Sequence, residues 1–464
     1  RYDMSGIASY PRIFLEISGI ERTHYMDTFR SFKKDLIAIN QDLTSLLSTG
    51  STIPGIPDRT FDNWISICST LHQQISEEVL RIAVVGAIKS GKSTFLNALF
   101  EGEYFKRGAG VVTSIVTRVR GGSQPKAKLL FKSLDEINQD IKEAIALLPF
   151  GNPDFDREKF DIRQNRQRKI LKATLKNLSP EQLITQGTRN LNSVLLHCYL
   201  NGYEPLKEML SAKGFKKEFE SAQFRRHWDF VGDDSLSIFL KDIHLEIDSK
   251  NLANDTEFAD CQGSDSPNPL HLVMIQDYLQ LSHLIIYLVS SRTGLREADI
   301  KFLSTIRKMG ILDNVLFVVN CDLSEHESLE DLKFVTAKVT EELQLIKSNP
   351  EVFAYSALFD LFKSIKEDLP EKDLLRLAQW ESQSDIAEFS NRESTRFQSD
   401  LAHHLIRKRS RLLLKNQIER HGVILSGMAN WISINRELFS RNEQEAGKII
   451  ESITHQQKRM DQIK

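Results

Sequence analysis

The run GAIKSGKS at residues 86–93, with glycines at 86 and 91, fits the pattern GxxxxGK[ST]. Its glycines allow the backbone to wrap so that N–H groups and the start of the following helix face phosphate oxygens. In this pattern Lys92 reaches the β- and γ-phosphates of a nucleotide, and the hydroxyl of Ser93 is a ligand of Mg²⁺. The predicted nucleotide-binding residues of this loop are Gly86, Ala87, Ile88, Lys89, Ser90, Gly91, Lys92, Ser93 and Thr94.

Two downstream motifs can complete such a site. A glycine-rich stretch at 108–112 ends in Thr113, where a nucleotide-sensing switch places a second Mg²⁺ ligand and a carbonyl that orients the attacking water. The residues DCQG at 260–263 have the DxxG form, in which Asp260 supports the Mg²⁺ ion and the N–H of Gly263 senses the γ-phosphate. We therefore expect Mg²⁺ as the cofactor, with Ser93, Thr113 and Asp260 around it. The predicted catalytic residues are Lys89, Lys92, Thr113 and Gly263.

The residues that read the base are predicted at the ends of two later strands. Asn320 and Asp322 stand where a guanine-reading NKxD motif carries its asparagine and aspartate, with a spacing that is one residue short. Ser356 and Ala357 resemble the short Ser-Ala element whose backbone contacts guanine O6. The alternative interpretation is that Asn320 and Asp322 are a capping and turn pair at a strand end.

The elements that must position these residues are strands of a parallel sheet. Continuous apolar runs at 82–85, 284–289 and 315–319 are typical of parallel strands that are buried on both faces. Helical patterns such as 299–309 lie between them, and this alternation indicates an α/β P-loop domain with a mostly parallel sheet, helices on both faces and an α-helical insertion. The predicted domains are 1–80 for N-terminal helices, 81–365 for the α/β domain with its insertion at about 134–235, and 366–464 for C-terminal helices.

Both ends of the chain carry helical apolar stripes. Residues 25–47 place apolar side chains at alternating spacings of three and four, and a second pattern covers 61–79. After about residue 365 the helical spacing resumes, from Leu401 to Leu425. A stripe without a partner stays exposed to water, so we predict that helices from both chain ends form one bundle.

The composition excludes several classes of protein. The 464 residues, with 41% hydrophobic and 27% charged, are typical of a globular chain with more than one domain. A formal net charge of −2 gives no overall field that attracts nucleic acid. The four cysteines form no CxxC pair, which argues against a disulfide framework or a zinc site. No apolar run approaches the roughly 20 residues of a membrane span, and no targeting leader is visible. We expect a cytoplasmic protein, with peripheral membrane association as the alternative.

Three segments together resemble the dynamin superfamily, especially bacterial dynamin-like proteins. They are the phosphate loop with its flanking strand and helix, the segment 107–113 and the run FLKDIHLEI at 239–247. The resemblance covers residues 81 to about 360, and the flanking helices match in kind. It implies a membrane-remodelling, fusing or tethering GTPase that binds GTP and GDP and forms a homodimer or higher oligomer through its nucleotide face. It also implies that the helical bundle amplifies nucleotide-driven motion.

The sequence departs from the family pattern near the site. DCQG at 260–263 replaces DTPG, and Cys321 stands where the base-reading lysine is usual. Ile88 and Lys89 replace the Gln and Ser of eukaryotic dynamins. Guanylate-binding proteins and atlastins, which this loop resembles, carry an arginine finger at the position of Lys89, so we predict that Lys89 supplies positive charge during cleavage. The alternatives are a solvated lysine and a lysine paired with a carboxylate of a partner subunit.

Two basic clusters are candidate contacts for an anionic membrane surface. The alternative is a pair of solvated faces balanced by acidic neighbours, and nucleic acid is the weakest option because no aromatic residues interleave the clusters. The cluster residues are Arg163, Arg166, Arg168, Lys169, Lys172 and Lys176 in the insertion, and Arg407, Lys408, Arg409, Arg411 and Lys415 near the C-terminus.

Three functions are compatible with these motifs. The first is a Mg²⁺-dependent GTPase whose hydrolysis drives a lever of helices. The second is a nucleotide-gated scaffold that binds GTP, dimerises and hydrolyses poorly, which the altered DxxG and NKxD motifs favour. The third is a P-loop ATPase or kinase, in which Asn320 and Asp322 have no role in reading the base.

Overall fold

The computed structural model describes residues 19–51, 58–107, 115–147, 156–177, 184–185, 188–189, 191–265, 269–406 and 408–434, and five residues between 451 and 459. The chain divides into two compact units. The first unit contains Arg81–Ser399, and the second contains the described residues of Ile13–Leu80 and Asp400–Lys464. The sequence-based division places residues 366–399 with the C-terminal helices, whereas the structure groups them with the first unit.

The first unit is built on one large sheet. Its strands are β1 (Leu80–Gly86), β2 (Thr117–Gly121), β3 (Lys126–Phe131), β6 (Lys216–Glu220), β7 (Leu240–Ile247), β8 (Thr256–Gly263), β9 (Leu284–Ser290), β10 (Val315–Asn320) and β11 (Val352–Tyr355). A separate two-stranded sheet consists of β4 (Ile184–Thr185) and β5 (Thr188–Arg189). The spatial order of the large sheet is β11-β10-β9-β1-β8-β2-β7-β3-β6.

The sheet has a parallel part and a mixed part. β1 pairs in parallel with β9, β9 with β10 and β10 with β11. These strands are apolar and almost entirely buried, as expected for a parallel sheet covered on both faces. β2 pairs in parallel with β7, whereas the β2–β8, β3–β7 and β3–β6 pairs are antiparallel. The predicted α/β fold is confirmed, with the parallel strands concentrated in the half that contains the phosphate loop.

Helices surround this sheet and enclose its core. Tyr287 and Phe317 on neighbouring strands are fully buried, and Phe302 and Leu303 from the helix after β9 belong to the same apolar cluster. The described α-helices of more than four residues that begin in this unit are Lys92–Leu99, Leu134–Ala146, Asn165–Lys176, Leu191–Leu206, Pro269–Leu281, Glu297–Lys308, Leu329–Gln344, Ala357–Ser364, Glu371–Ser382 and Ser384–Ile406.

The segment predicted as a helical insertion contains helices and also the strands β4, β5 and β6. Leu134–Ala146 begins with a capping box in which Ser133 accepts the N–H of Glu136 and the Glu136 carboxylate accepts the N–H of Ser133. Further along, β6 pairs with β3 and extends the edge of the large sheet. The insertion therefore contributes to the sheet as well as to the helical layer.

The second unit is helical. Its long helices are Gly19–Ser51, Asp58–Glu77 and Arg409–Ile434. They share one apolar cluster that includes Leu36, Ile39, Leu43, Leu71, Ile424 and Leu425. The prediction that helices from both chain ends form one bundle is confirmed. None of the described helices combines the length and apolar character needed to cross a membrane.

Candidate nucleotide-binding site

The phosphate loop connects the buried end of β1 to the helix Lys92–Leu99, and its two glycines are required by the backbone. Gly86 has φ +149° and Gly91 has φ +94°, conformations that residues with a side chain rarely adopt. A Cβ at position 86 would lie 2.3 Å from the carbonyl oxygen of Leu288, and one at position 91 would lie 2.1 Å from Nδ2 of Asn320. The motif glycines therefore permit both the turn and its close packing against neighbouring strands.

Lys92 is the buried cation of this loop. Its Nζ donates hydrogen bonds to the carbonyl oxygens of Gly86, at 3.0 Å, and Ala87, at 2.8 Å. Burial lowers the pKa of Lys92, and the negative charges of Asp260 and Asp265 act in the opposite direction. An ammonium group has three donors, and no third partner is found among the described residues. This geometry fits the binding of a phosphate oxygen.

Ser93 and Asp260 meet although they are far apart in the sequence. The Ser93 hydroxyl donates to Oδ2 of Asp260 at 2.5 Å. Burial raises the pKa of Asp260, and the charge of Lys92 and the hydrogen bond from Ser93 oppose this shift. A hydroxyl and a carboxylate at this distance supply the hard oxygen ligands that Mg²⁺ prefers. Of the three predicted Mg²⁺ residues, the structure brings these two together.

The end of β8 lies against the phosphate loop. The N–H of Ser264 donates to the carbonyl oxygen of Gly86 at 3.0 Å. A Cβ at Gly263 would lie 2.8 Å from the backbone nitrogen of Ile88, so this position also requires glycine. The N–H of Ile88 donates to Oδ1 of Asp265 at 2.6 Å. Gly263, a predicted catalytic residue, is therefore placed directly beside the loop.

A chain of charged groups that sequence analysis missed continues from Asp265. Oδ2 of Asp265 lies 2.9 Å from Nη2 of Arg296, and Nε of Arg296 lies 3.2 Å from Oδ2 of Asp299. The hydroxyl of Tyr287 donates to Oδ1 of Asp299 at 2.7 Å. The only local signal was the position of Asp265, two residues after the DxxG motif; Arg296 belongs to no recognisable pattern.

Asn320 links the phosphate loop to the Ser-Ala element. Its Nδ2 donates to the carbonyl oxygen of Ser90 at 2.8 Å, and its Oδ1 accepts the N–H of Ala357 at 3.2 Å. Ser356 is buried, with its hydroxyl 3.2 Å from that of Ser390. Three predicted nucleotide-binding segments are thus held together at the carboxyl ends of β1, β10 and β11.

Asp322 and Cys321 have other contacts in this structure. Oδ1 of Asp322 accepts the N–H of Ser324 at 3.0 Å, which caps a short 3₁₀ helix, and lies 3.3 Å from Nη2 of Arg376. Cys321 is buried in the apolar core, and burial raises the pKa of its thiol to about 12. The capping interpretation describes the present contacts of Asp322, and Cys321 does not take the place of the usual lysine side chain.

The remaining predicted residues lie around the loop or outside the described part of the chain. Lys89 is exposed at the loop tip with φ +64°, and Thr94 is half-buried in the first turn of the helix Lys92–Leu99. Thr113 and the glycine-rich stretch 108–112 lie outside the described residues.

Several residues of the basic clusters form ion pairs within their own unit. Arg163 lies 2.7 Å from Asp161, and Arg168 lies 2.9 Å from Glu204. In the C-terminal cluster Lys415 lies 3.8 Å from Glu419. These contacts fit the interpretation of balanced polar faces for part of each cluster, and Arg407 lies outside the described residues.

Comparison with known proteins identifies a family. The sequence profile of the dynamin family matches residues 82–321. Dynamin-like protein A of Bacillus subtilis (strain 168) is 20% identical over 303 residues, which cover 62% of this chain and 23% of that protein. The solved structure of an oligomerised bacterial dynamin pair, described as a mechanism for long-range sensing and tethering of membranes, has 16% identity and a TM-score of 0.44, covering 94% of this chain and 51% of its own.

A second solved structure, the LeoA bacterial dynamin GTPase from ETEC, has 14% identity and a TM-score of 0.30, covering 89% of this chain and 53% of its own. The chain therefore spans between 23% and 53% of the lengths of these relatives. The family match extends over more than half of the chain and includes both the phosphate loop and the DxxG motif. We conclude that this chain belongs to the dynamin family.

Proposed function

We propose that this protein binds GTP with Mg²⁺ and hydrolyses it to GDP and phosphate. One observation carries the proposal: a buried lysine on the phosphate loop, Lys92, lies beside a hydroxyl–carboxylate pair, Ser93 and Asp260, at the edge where parallel strands end. Buried charges of this kind are costly unless they have partners. A phosphate supplies a partner for Lys92, and a divalent cation supplies one for Asp260. Members of the dynamin family are GTPases, which supports the choice of reaction.

Each residue has a distinct part in this proposal. Lys92 and the N–H groups at the start of the helix Lys92–Leu99 bind the β- and γ-phosphates. Ser93 and Asp260, with Thr113, would hold Mg²⁺, which when bound neutralises phosphate charge. The backbone of Thr113 orients the attacking water, and the N–H of Gly263 binds the γ-phosphate. Lys89 supplies positive charge at the loop tip during cleavage.

The base is proposed to bind near Asn320 and the Ser356–Ala357 turn. Asn320 connects this turn to the phosphate loop through two hydrogen bonds, so a base seated there is held in register with the phosphates. Asp322 is proposed to accept hydrogen bonds from guanine. Its carboxylate is partly exposed and forms an ion pair with Arg376, so a change of partner costs little.

At the level of the whole protein, we propose nucleotide-dependent dimerisation through the nucleotide face, coupled to movement of the helical bundle, in membrane remodelling, fusion or tethering. Family membership supports this proposal. The four buried, free cysteines are compatible with the proposed cytoplasmic location. Members of the two basic clusters are the proposed contacts for an anionic membrane surface.

A second candidate is the nucleotide-gated scaffold with weak hydrolysis. The altered DCQG motif and the capping role of Asp322 favour it. Phosphate release from GTP with Mg²⁺, measured over a range of protein concentrations, separates the two functions. The GTPase predicts release that rises per protomer with concentration and is lost in Lys92→Ala. The scaffold predicts GTP binding without release at any concentration, and an ATPase predicts release from ATP instead.

A further inference from the structure

The phosphate loop of this protein is contacted by one of its own carboxylates. Oδ1 of Asp265 accepts the N–H of Ile88 at 2.6 Å, and Oδ2 lies 2.9 Å from the guanidinium of Arg296. Both oxygens are therefore engaged, and the side chain is held in place by a fixed cation. The backbone N–H groups of such a loop are the donors that bind anions.

The contact lies on the side of the loop assigned to the terminal phosphate. A Cβ at Gly263 would lie 2.8 Å from the nitrogen of Ile88 and 2.9 Å from Oδ1 of Asp265. The Ile88 amide, Gly263 and the Asp265 carboxylate thus meet at one point. The proposed function gives the N–H of Gly263 to the γ-phosphate, so a γ-phosphate arrives where this carboxylate is already bound.

We infer that Asp265 is an internal anion that competes with the terminal phosphate of a nucleoside triphosphate for the Ile88 amide. This inference rests on the proposed function and adds a determinant of selectivity to it. A diphosphate leaves the Ile88–Asp265 hydrogen bond intact, whereas a triphosphate brings a second negative group to the same amide. Asp265 therefore weakens triphosphate binding relative to diphosphate binding, and Arg296 holds the displaced carboxylate near the site.

Lys92 does not cancel this effect. The charge of Asp265 acts on Lys92 in the same direction as that of Asp260, so Lys92 attracts the carboxylate and the phosphates alike. Its hydrogen bonds to Gly86 and Ala87 place the Lys92 ammonium group beneath the loop. The triphosphate and the diphosphate both contact this group. The difference between triphosphate and diphosphate is therefore attributed to Asp265.

The test is a calorimetric titration of GTPγS and of GDP, each with Mg²⁺, into the wild-type protein, Asp265→Asn and Asp265→Ala. Asparagine keeps an oxygen that can accept the Ile88 N–H but removes the charge. We expect both variants to raise the affinity for GTPγS relative to GDP by about fivefold or more, as removal of a like charge at a few ångströms predicts. Circular dichroism melting identifies which variant is folded, and either one suffices.

The matched control is Glu297→Gln. Glu297 is next to Arg296 in sequence, its side chain is 83% exposed, and it pairs with Lys301 instead of the loop. This change removes one negative charge beside Arg296. The ratio of GTPγS affinity to GDP affinity should stay within about twofold of the wild-type value because exposed charges are screened.

An unchanged or lowered ratio in the folded Asp265 variants, with clear binding of both nucleotides by the wild type, overturns the inference and leaves the proposed function standing. A shift of equal size in Glu297→Gln also overturns it. Failure of the wild type to bind either nucleotide refutes the proposed function, and the competition with it.

Discussion

Substitution of Gly91 by alanine tests how the phosphate loop is held. Two costs are combined at this position. The backbone has φ +94°, and the new Cβ would lie 2.1 Å from Nδ2 of Asn320. Asn320 must then move, which breaks its hydrogen bonds to the carbonyl oxygen of Ser90 and from the N–H of Ala357.

The expected magnitude follows from these two costs. A left-handed backbone with a side chain costs about 1 to 2 kcal/mol. Two intramolecular hydrogen bonds contribute about 1 to 3 kcal/mol together. Gly91→Ala should therefore destabilise the first unit by about 2 to 5 kcal/mol, and Asn320→Ala by about 1 to 3 kcal/mol. The double variant should cost no more than Gly91→Ala alone, because the clash and the hydrogen bonds disappear together.

Gly310→Ala is the matched control. Gly310 has φ +76°, and a Cβ there would meet nothing within 4 Å. Its cost should be the backbone term alone, about 1 to 2 kcal/mol. The measurement is urea unfolding followed by hydrogen exchange in peptides from β1 and β10, which report on the first unit. Equal costs for Gly91→Ala and Gly310→Ala, or strict additivity with Asn320→Ala, would refute this explanation of the loop.

The remaining predictions concern catalysis, base selectivity and pH. Lys89→Ala should lower kcat with little change in GTP affinity, and K⁺ or Na⁺ should partly restore turnover; equal kcat at saturating GTP would make Lys89 an ordinary surface lysine. Asp322→Asn should reduce the preference for GTP over ATP about tenfold, as expected for charged hydrogen bonds, and an unchanged ratio in competition binding would leave the aspartate only its capping role. Burial lowers the pKa of His421 to about 4, so the folded bundle excludes a proton that the unfolded chain binds below about pH 6.5, and stability falls as the pH drops from about 6.5 to 4. His421→Gln should remove about 2 kcal/mol of the stability loss between pH 7 and pH 5 in urea titrations. The ring nitrogens of His421 lie beside Oδ1 of Asn40 and the carbonyl oxygen of Gln417, and equal pH slopes in the two proteins would show that the folded ring binds its proton at the same pH as the unfolded ring.

The strands and the phosphate loop could be predicted from the sequence because their determinants are local. The apolar run at 82–85 forms a strand buried on both faces, and the glycines at 86 and 91 occupy the positive-φ positions that the pattern requires. The apolar stripes at the chain ends were also sufficient to predict a helical bundle, since each stripe needs a partner helix.

The contacts around the loop could not be predicted in this way. Asp265 bonds to Ile88 across 177 positions of sequence, and Asn320 bonds to Ser90 across 230. No periodicity relates such residues, so only the fold brings them together. Asn320 was predicted near the base, and its link between the loop and Ala357 is a finding of the structure.

β6 was missed for a different physical reason. Its sequence, KKEFE, has one buried side chain, that of Phe219, among exposed or half-exposed charges. The strand lies at the edge of the sheet, where charged residues discourage pairing with other chains. An edge strand of this kind carries no apolar run, so its sequence lacks the signal that identifies a buried strand.

The central claim is that residues 86–93, with Asn320 and the Ser356–Ala357 turn, bind a guanine nucleotide. The most direct test is a calorimetric titration of GTP, GDP and ATP, each with Mg²⁺, into the wild-type protein and Lys92→Ala. We expect the wild type to bind GTP and GDP at least about tenfold more tightly than ATP, and Lys92→Ala to lose at least about tenfold in affinity for both guanine nucleotides, as removal of a charged hydrogen bond predicts. Equal GTP affinity in the two proteins, or tighter binding of ATP than of GTP by the wild type, would contradict the claim.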